Sequence, residues 1–262
     1  MKVLLTNDDG IQATGLNHMR RALLALDDVE LAVIAPDSNR SATARSITTR
    51  RPLWVEEVEF GDDTTGFATD GTPVDCVRFA ALGLIDEPPE LIVSGINHGA
   101  NLGDDITYSG TVAAALEGII LGLPAVAVSL AGSSRDFEPL ARFVARIVEE
   151  LDDVPMPRGT LLNVNGPGGE VKGARACRLG KRVYNDRMEL TEEEKEGGRR
   201  RYRLYGEKPS YEHEPGTDFA AIAEGLIAVT PIHFDLTDQA GVEELAGFDL
   251  ERLLRPATEA VE

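Results

Sequence analysis

The stretch Val3-Leu4-Leu5-Thr6-Asn7-Asp8-Asp9-Gly10 decides how this chain reads. An apolar run from Val3 to Leu5 stops abruptly at Asn7-Asp8-Asp9-Gly10. A helical apolar pattern then follows through Leu16, Met19, Leu23 and Leu26, and a second buried-type run, Leu31 to Ala35, is closed by Pro36. Strand, helix and strand with short joints predict a right-handed crossover and a parallel sheet. In such a sheet the ligand crevice lies beyond the carboxyl ends of the strands, where Asp8 and Asp9 stand.

The rhythm repeats outward from there. Thr72-Pro73 caps and starts a helix to about Leu84, with proline where its missing N–H costs nothing. Leu91 to Val93 reads as a strand ending at Ser94-Gly95. Ser109-Gly110-Thr111 opens an apolar helix to Leu121, Ala125 to Leu130 is a strand, and 137–151 is an amphipathic helix. Ile47 to Thr49, Leu53 to Phe60 and Gly66 to Thr69 have the texture of short antiparallel strands, an insertion at one sheet edge. In the middle one Trp54, Val58 and Phe60 share a face, while Val55 and Glu56 break the alternation. After the strand Leu161 to Val164, the segment 184–214 is charged, glycine-punctuated and poor in aliphatics, which suits an exposed hairpin arm able to reach a neighbouring subunit. Asp218 to Glu224 reads as a helix, Leu226 to Thr230 as a strand and Val242 to Leu254 as a final helix, within a C-terminal helical segment 240–262. With no internal repeat and no separating linker, residues 1–262 are expected to form one α/β domain.

Two adjacent carboxylates in a loop repel each other and are costly to desolvate, a cost that a bound cation reverses. Two further strand ends supply polar groups. The loop Asp37 to Ser46 carries hydroxyls at Ser38, Ser41, Thr43 and Ser46 together with Arg40 and Arg45. The run Ser94 to Gly103 holds three glycines and the amides of Asn97 and Asn101. Carboxylate, amide and hydroxyl oxygens are hard ligands, favouring Mg²⁺ or Mn²⁺ over Zn²⁺. The four histidines show no paired spacing, and His98 lies inside the glycine run. Ser109-Gly110-Thr111 presents free N–H groups and the positive end of a helix dipole, which reads as a phosphate seat; the alternative is Ser109 as a plain N-cap, and the two roles can coexist. The G-x-x-x-x-G-K pattern of a nucleoside triphosphate loop is absent.

Composition narrows the class. The 45 acidic residues against 26 basic ones give a net charge of −19, and five of the bases are lysines. Duplex nucleic acid and membrane surfaces are therefore not expected partners, since both select basic surfaces. The acidity fits a high-salt cytoplasm in which screening relieves carboxylate repulsion. No apolar run is long enough for a membrane helix and no export signal is evident, so a cytoplasmic location is expected. Cys76 and Cys177, far apart and in apolar surroundings, read as buried free thiols.

These residues resemble the SurE survival-protein family. The matching runs are Leu5-Thr6-Asn7-Asp8-Asp9-Gly10-Ile11, Ala35 to Ala42, Gly71 to Val77, Val93 to Asn101, Ser109 to Gly118, Leu162 to Asn165, Gly216 to Phe219 and Thr230 to Ile232. The resemblance implies a metal-dependent phosphatase acting on nucleoside 5'- or 3'-monophosphates, sometimes with activity on short polyphosphate. It puts the metal ligands on Asp8, Asp9, Ser41 and Asn97, with one cation per subunit, and the phosphate loop on Ser109, Gly110 and Thr111 with Asn101 close by. Asp8 and Asp9 are the expected catalytic pair, one of them taking the proton of an attacking water. The implied fold is a Rossmann-like three-layer sandwich, its sheet mostly parallel, with a C-terminal arm exchanged within a homodimer or homotetramer. Ala100 departs from the proline common in the family, and His98 stands where the family varies; both bear on substrate preference.

Two other classes fit less well. A phosphorylation-switched receiver module also places an acidic pair after its first strand, but it needs a nearby lysine, and none lies between Lys2 and Lys172. A dinucleotide-binding or glycosyl-transferring Rossmann protein lacks its G-x-G-x-x-G after the first strand.

Overall fold

The computed structural model describes residues 1–193, 198–206 and 210–254. The opening unit is β1 (Lys2–Thr6), α1 (Thr14–Leu24) and β2 (Glu30–Pro36), with Val3 registered against Leu31 in parallel. The chain continues through β3 (Val55–Glu59), β4 (Thr65–Thr69), α2 (Pro73–Ala81), β5 (Leu91–His98), α3 (Gly110–Ile120), β6 (Ala125–Leu130), α4 (Glu138–Glu149) and β7 (Thr160–Gly166). Then come β8 (Gly173–Ala176), β9 (Arg182–Val183), β10 (Asp186–Glu193), β11 (Arg200–Gly206), β12 (Ser210–Tyr211), α5 (Asp218–Ala223), β13 (Leu226–His233) and α6 (Gln239–Ala246). A 3-10 helix, Gly103–Tyr108, precedes α3, and another, Leu250–Leu254, follows α6.

Nine strands form one sheet in the order β3-β4-β2-β1-β5-β6-β7-β13-β8. From β4 to β7 every pairing is parallel; β3 runs antiparallel to β4, and β13 antiparallel to β7. The two faces carry separate cores because successive strand residues point to opposite sides. Val3 and Leu5 pack with α1 and α4 side chains such as Leu16, Met19, Leu140 and Val144. Leu4 packs the other way, with Val77 of α2 and Val112 and Ala115 of α3. Burial on both faces is why β1 is a continuous apolar run without alternation. The result is the expected α/β sandwich of helices on both sides of a mostly parallel sheet.

The structure departs from the sequence expectations at particular places. Residues 47–49 form no strand, and only β3 of the edge insertion is antiparallel, since β4 joins β2 in parallel. Trp54 precedes β3 and is 82% exposed, so it does not share the half-buried face of Val58 and Phe60. β5 does not end at Ser94-Gly95 but runs to His98, drawing half of the supposed glycine loop into the sheet. Pairing with β6 resumes at Asn97 and Ser129 after an irregularity that begins at Ser94. Gly95 makes this possible: its φ is +140°, and a Cβ there would lie 2.3 Å from Val128 O. α2 ends at Ala81 rather than near Leu84, because Leu84 N folds back onto Phe79 O at 3.0 Å and closes the helix end. The final helix is broken: α6 stops at Ala246, with Gly247 at its C-cap, and the chain resumes as the 3-10 turn.

β10 and β11 form a separate antiparallel hairpin within 184–214, its described residues facing solvent along β10. Residues 194–197 and 207–209 of that arm, and 255–262 of the C-terminal segment, lie outside the described residues. Among the described residues no helix is long and apolar enough to cross a membrane. Cys76 and Cys177 are both free and buried, and burial pushes both thiols upward, away from the reactive thiolate.

Candidate functional site

The chain lays β2 on one side of β1 and later returns to place β5 on the other, so a crevice opens beyond the carboxyl ends of β1 and β5. The turn that follows β1 is built by Asn7. Its Nδ2 donates to Gly10 O at 2.9 Å, and its Oδ1 accepts from Gly10 N at 3.1 Å. This closed turn presents Asp8 and Asp9 in different directions.

Asp8 is 3% exposed and faces α3. Its Oδ1 accepts a 2.5 Å hydrogen bond from Thr111 Oγ1, and its main-chain oxygen accepts from Arg40 N at 2.7 Å. Burial raises its carboxyl above the usual range; the Thr111 hydrogen bond opposes this, and the neighbouring Asp9 charge adds to it. α3 can begin this close only because its first residue is glycine: a Cβ on Gly110 would lie 2.8 Å from Asp8 Cβ. Ser109, 6% exposed, caps the helix by accepting from Val112 N at 3.1 Å.

Asp9 is half-buried and turns toward the loop after β2 and the end of β5. Its Oδ1 accepts from Asn39 Nδ2 at 3.0 Å, and its Oδ2 accepts from His98 N at 3.0 Å. Asn39 in turn takes the main-chain N–H of Ser41 on its Oδ1 at 2.9 Å. Ser41 is exposed in this loop, and its hydroxyl makes no bond to either carboxylate. Asn97 donates its Nδ2 to Gly99 O at 2.8 Å, which leaves the amide oxygen as its ligand-capable atom. The loop's far end is tied to the helices by Arg45, which meets the buried Glu117 of α3 at 2.8 Å; Arg78 of α2 holds the second oxygen at 3.0 Å.

Asn101 is 8% exposed and sits in an amide cluster. Its N donates to Asn165 Oδ1 at 2.9 Å and its Nδ2 to Ser129 Oγ at 2.7 Å. Its carbonyl oxygen accepts from Asn163 at 2.9 Å and Asn165 at 3.0 Å. The 3-10 helix between Asn101 and Ser109 is pinned at its start by Asp218, whose Oδ2 accepts from Gly103 N at 2.8 Å.

The donors suit a hard divalent cation. Among the described residues no three His, Cys, Asp or Glu side chains converge as a metal cluster. Two carboxylates, an amide oxygen and a hydroxyl are the available set, all of them hard oxygen donors. Beside Asp9 a cavity of about 340 Å³ is lined by Asp9, Thr14, Asn39, Ser41, His98 and Arg135, with Phe137 at its base.

Residues 3–186 match the family described as survival protein SurE. The chain belongs to the SurE family. A 5'-nucleotidase SurE of Rubrobacter xylanophilus is 50% identical over 269 residues, covering 97% of this chain and 99% of that one. A second, from Moorella thermoacetica, is 45% identical and covers 95% and 96%. The crystal structure of the SurE protein from Aquifex aeolicus superposes with a TM-score of 0.79 at 37% identity, over 94% of this chain and all of that one. The SurE family match ends at Asp186, where β10 begins.

Within this SurE fold the sequence-predicted Asp8, Asp9, Asn97, Ser109, Gly110 and Thr111 gather at one end of the sheet; Ser41 flanks them and Asn101 lies behind in its amide cluster. Four contributors were not foreseen as such: Asn7, which ties the turn, Asn39, which holds Asp9, and Asn163 and Asn165, which hold Asn101. The last two had a readable signal, since two amides spaced by two in an apolar strand share one face. Asn39 had none, because nothing in a loop sequence tells which amide turns inward.

Proposed function

We propose that this chain is a metal-dependent phosphatase that hydrolyses nucleoside 5'-monophosphates, with 3'-monophosphates as further substrates. The observation that carries the reading is the junction of the acidic turn with the start of α3, the 2.5 Å bond from Thr111 to Asp8 beside the open helix end. The relatives named 5'-nucleotidase SurE, alike over nearly the whole chain, support it.

In this reading Asp8, Asp9, Ser41 and Asn97 hold one Mg²⁺ or Mn²⁺ per subunit. When bound, the cation supplies positive charge against the phosphoryl oxygens. Ser109, Gly110 and Thr111 seat the phosphate: the helix start offers N–H groups and dipole charge to the equatorial oxygens, and Gly110 leaves room for close approach. Asn101, fixed by Asn163, Asn165 and Ser129, borders that seat. The Asp8–Asp9 pair is catalytic, and Asp9, the more exposed of the two, takes the proton of the attacking water while Asn39 and His98 N hold its carboxylate in place. We further assign the enzyme to the cytoplasm, the compartment that holds nucleoside monophosphate pools, and to a homodimer or homotetramer with exchanged arms.

The test is phosphate release from AMP with added Mn²⁺. Asp8→Asn keeps the shape and removes the charge, so turnover is expected to fall by about 10²–10³-fold with an unchanged circular dichroism spectrum. Wild-type turnover in that variant refutes the assignment.

A further inference from the structure

Asp8 and Asp9 are not equivalent. Asp8 is engaged from the α3 side, by Thr111 and the close approach of Gly110, whereas Asp9 is engaged from the opposite side, by Asn39 and His98 N. A phosphate ester spanning the pair with its phosphoryl group at α3 must therefore send its alcohol half toward Asp9. The 340 Å³ cavity opens there, between the start of α1, the end of β5 and the segment before α4. That volume exceeds what a phosphate alone needs and falls within the roughly 300–1,000 Å³ range of small-molecule sites. The larger cavity of about 810 Å³ does not compete, because it is lined by Ile119, Gly159, His233 and Leu236 at the other end of the sheet.

The lining suits a flat heteroaromatic ring. The exposed imidazole of His98 stands edge-on to Phe137, with ring centroids 6.1 Å apart, and its Nε2 lies 3.2 Å from Ser134 O, so its plane is fixed. Arg135, two residues before Phe137, is exposed and has no ion pair among the described residues, although acidic side chains outnumber basic ones across the chain. An unpaired guanidinium and an immobilised imidazole at one mouth are groups that stack on a nucleobase.

We propose that this cavity receives the nucleoside half of the substrate and that His98 and Arg135 are its specificity-determining residues. The proposal rests on the nucleotidase reading, and it locates the leaving group within that site.

The experiment compares kcat/KM for AMP, ribose 5-phosphate, phenyl phosphate and inorganic tripolyphosphate, with Mn²⁺, in the wild type, His98→Ala and Arg135→Ala. His98→Ala retains the main-chain N–H that holds Asp9. In each variant the ratio of AMP to phenyl phosphate is expected to fall about tenfold, the magnitude of losing one stacking partner, with the effect expressed mainly in KM. Ribose 5-phosphate, which has no base, should keep its ratio to phenyl phosphate. Unchanged AMP ratios in both variants overturn the proposal. So does a loss confined to inorganic tripolyphosphate, which would make the cavity an anion subsite. A wild type that hydrolyses none of the esters takes down the nucleotidase reading and this proposal together.

Discussion

Asp8 carries the clearest electrostatic tension in the molecule. Burial raises its carboxyl relative to the unfolded chain, so the metal-free folded state binds a proton more tightly than the unfolded state does. The stabilising difference is present at pH below the ordinary Asp value of about 3.9 and is lost as pH rises through the elevated folded value. For metal-free protein, Asp8→Asn is therefore expected to melt at a higher temperature than wild type at neutral pH, with the gap closing as pH drops toward 4. Calorimetry with a chelator present measures this, and a gap that does not shrink on acidification contradicts it. At this scale the sequence was informative about residue type and silent on exposure. It marked the acidic pair but not that Thr111 would cover one carboxylate while Asn39 and a backbone N–H would hold the other.

Among the elements, α3 does two jobs at its first turn. Ser109 caps it, and in the proposed function the same turn seats the phosphate. Ser109→Ala is expected to cost about 0.5–2 kcal/mol in a urea melt and to raise KM for AMP, since the open N–H groups lose their ordered geometry. A stability loss with unchanged KM would make the residue a cap alone. β5 shows why element ends were harder to read than element centres. Its apolar start, Leu91 to Val93, announced a strand, but Gly95 and Asn97 look like turn residues. They stay in the strand because β6 offers partners beyond the irregularity, and pairing between residues 32 or 33 apart leaves no mark in local composition. β8 was invisible for a similar reason: its four residues have no apolar alternation and are recruited by β13.

Across the whole molecule, a net charge of −19 makes the folded state repel itself. Lowering the salt from about 1 M to about 10 mM lengthens the screening distance from about 3 to about 30 Å, and the melting temperature is expected to fall accordingly. A flat melting temperature across that range removes the high-salt expectation. The C-terminal segment points to assembly. No residue of α6 or of the following 3-10 turn is buried, yet Leu236 is 86% exposed and Leu245, Leu253 and Leu254 are exposed as well. Met188 and Leu204 of the β10–β11 hairpin are exposed too, and in the proposed homo-oligomer with exchanged arms a second copy is expected to cover such side chains. Light scattering is expected to give a dimer or tetramer for the full chain and a smaller species after deletion of residues 234–262. A monomeric full chain rejects the exchange.

The sequence by itself determined the α/β class, the acidic turn after the first strand and the capped start of α3. Each of these is written in short-range order: periodicity, a capping residue, a run that stops. Only the tertiary structure decided that β5 continues through Gly95, that Asp8 turns to Thr111 of α3 while Asp9 turns to Asn39 and His98 N, and that a cavity with His98 and Arg135 opens beside Asp9. Those features come from contacts between residues distant along the chain, whose energies depend on burial and on partners that no local pattern records.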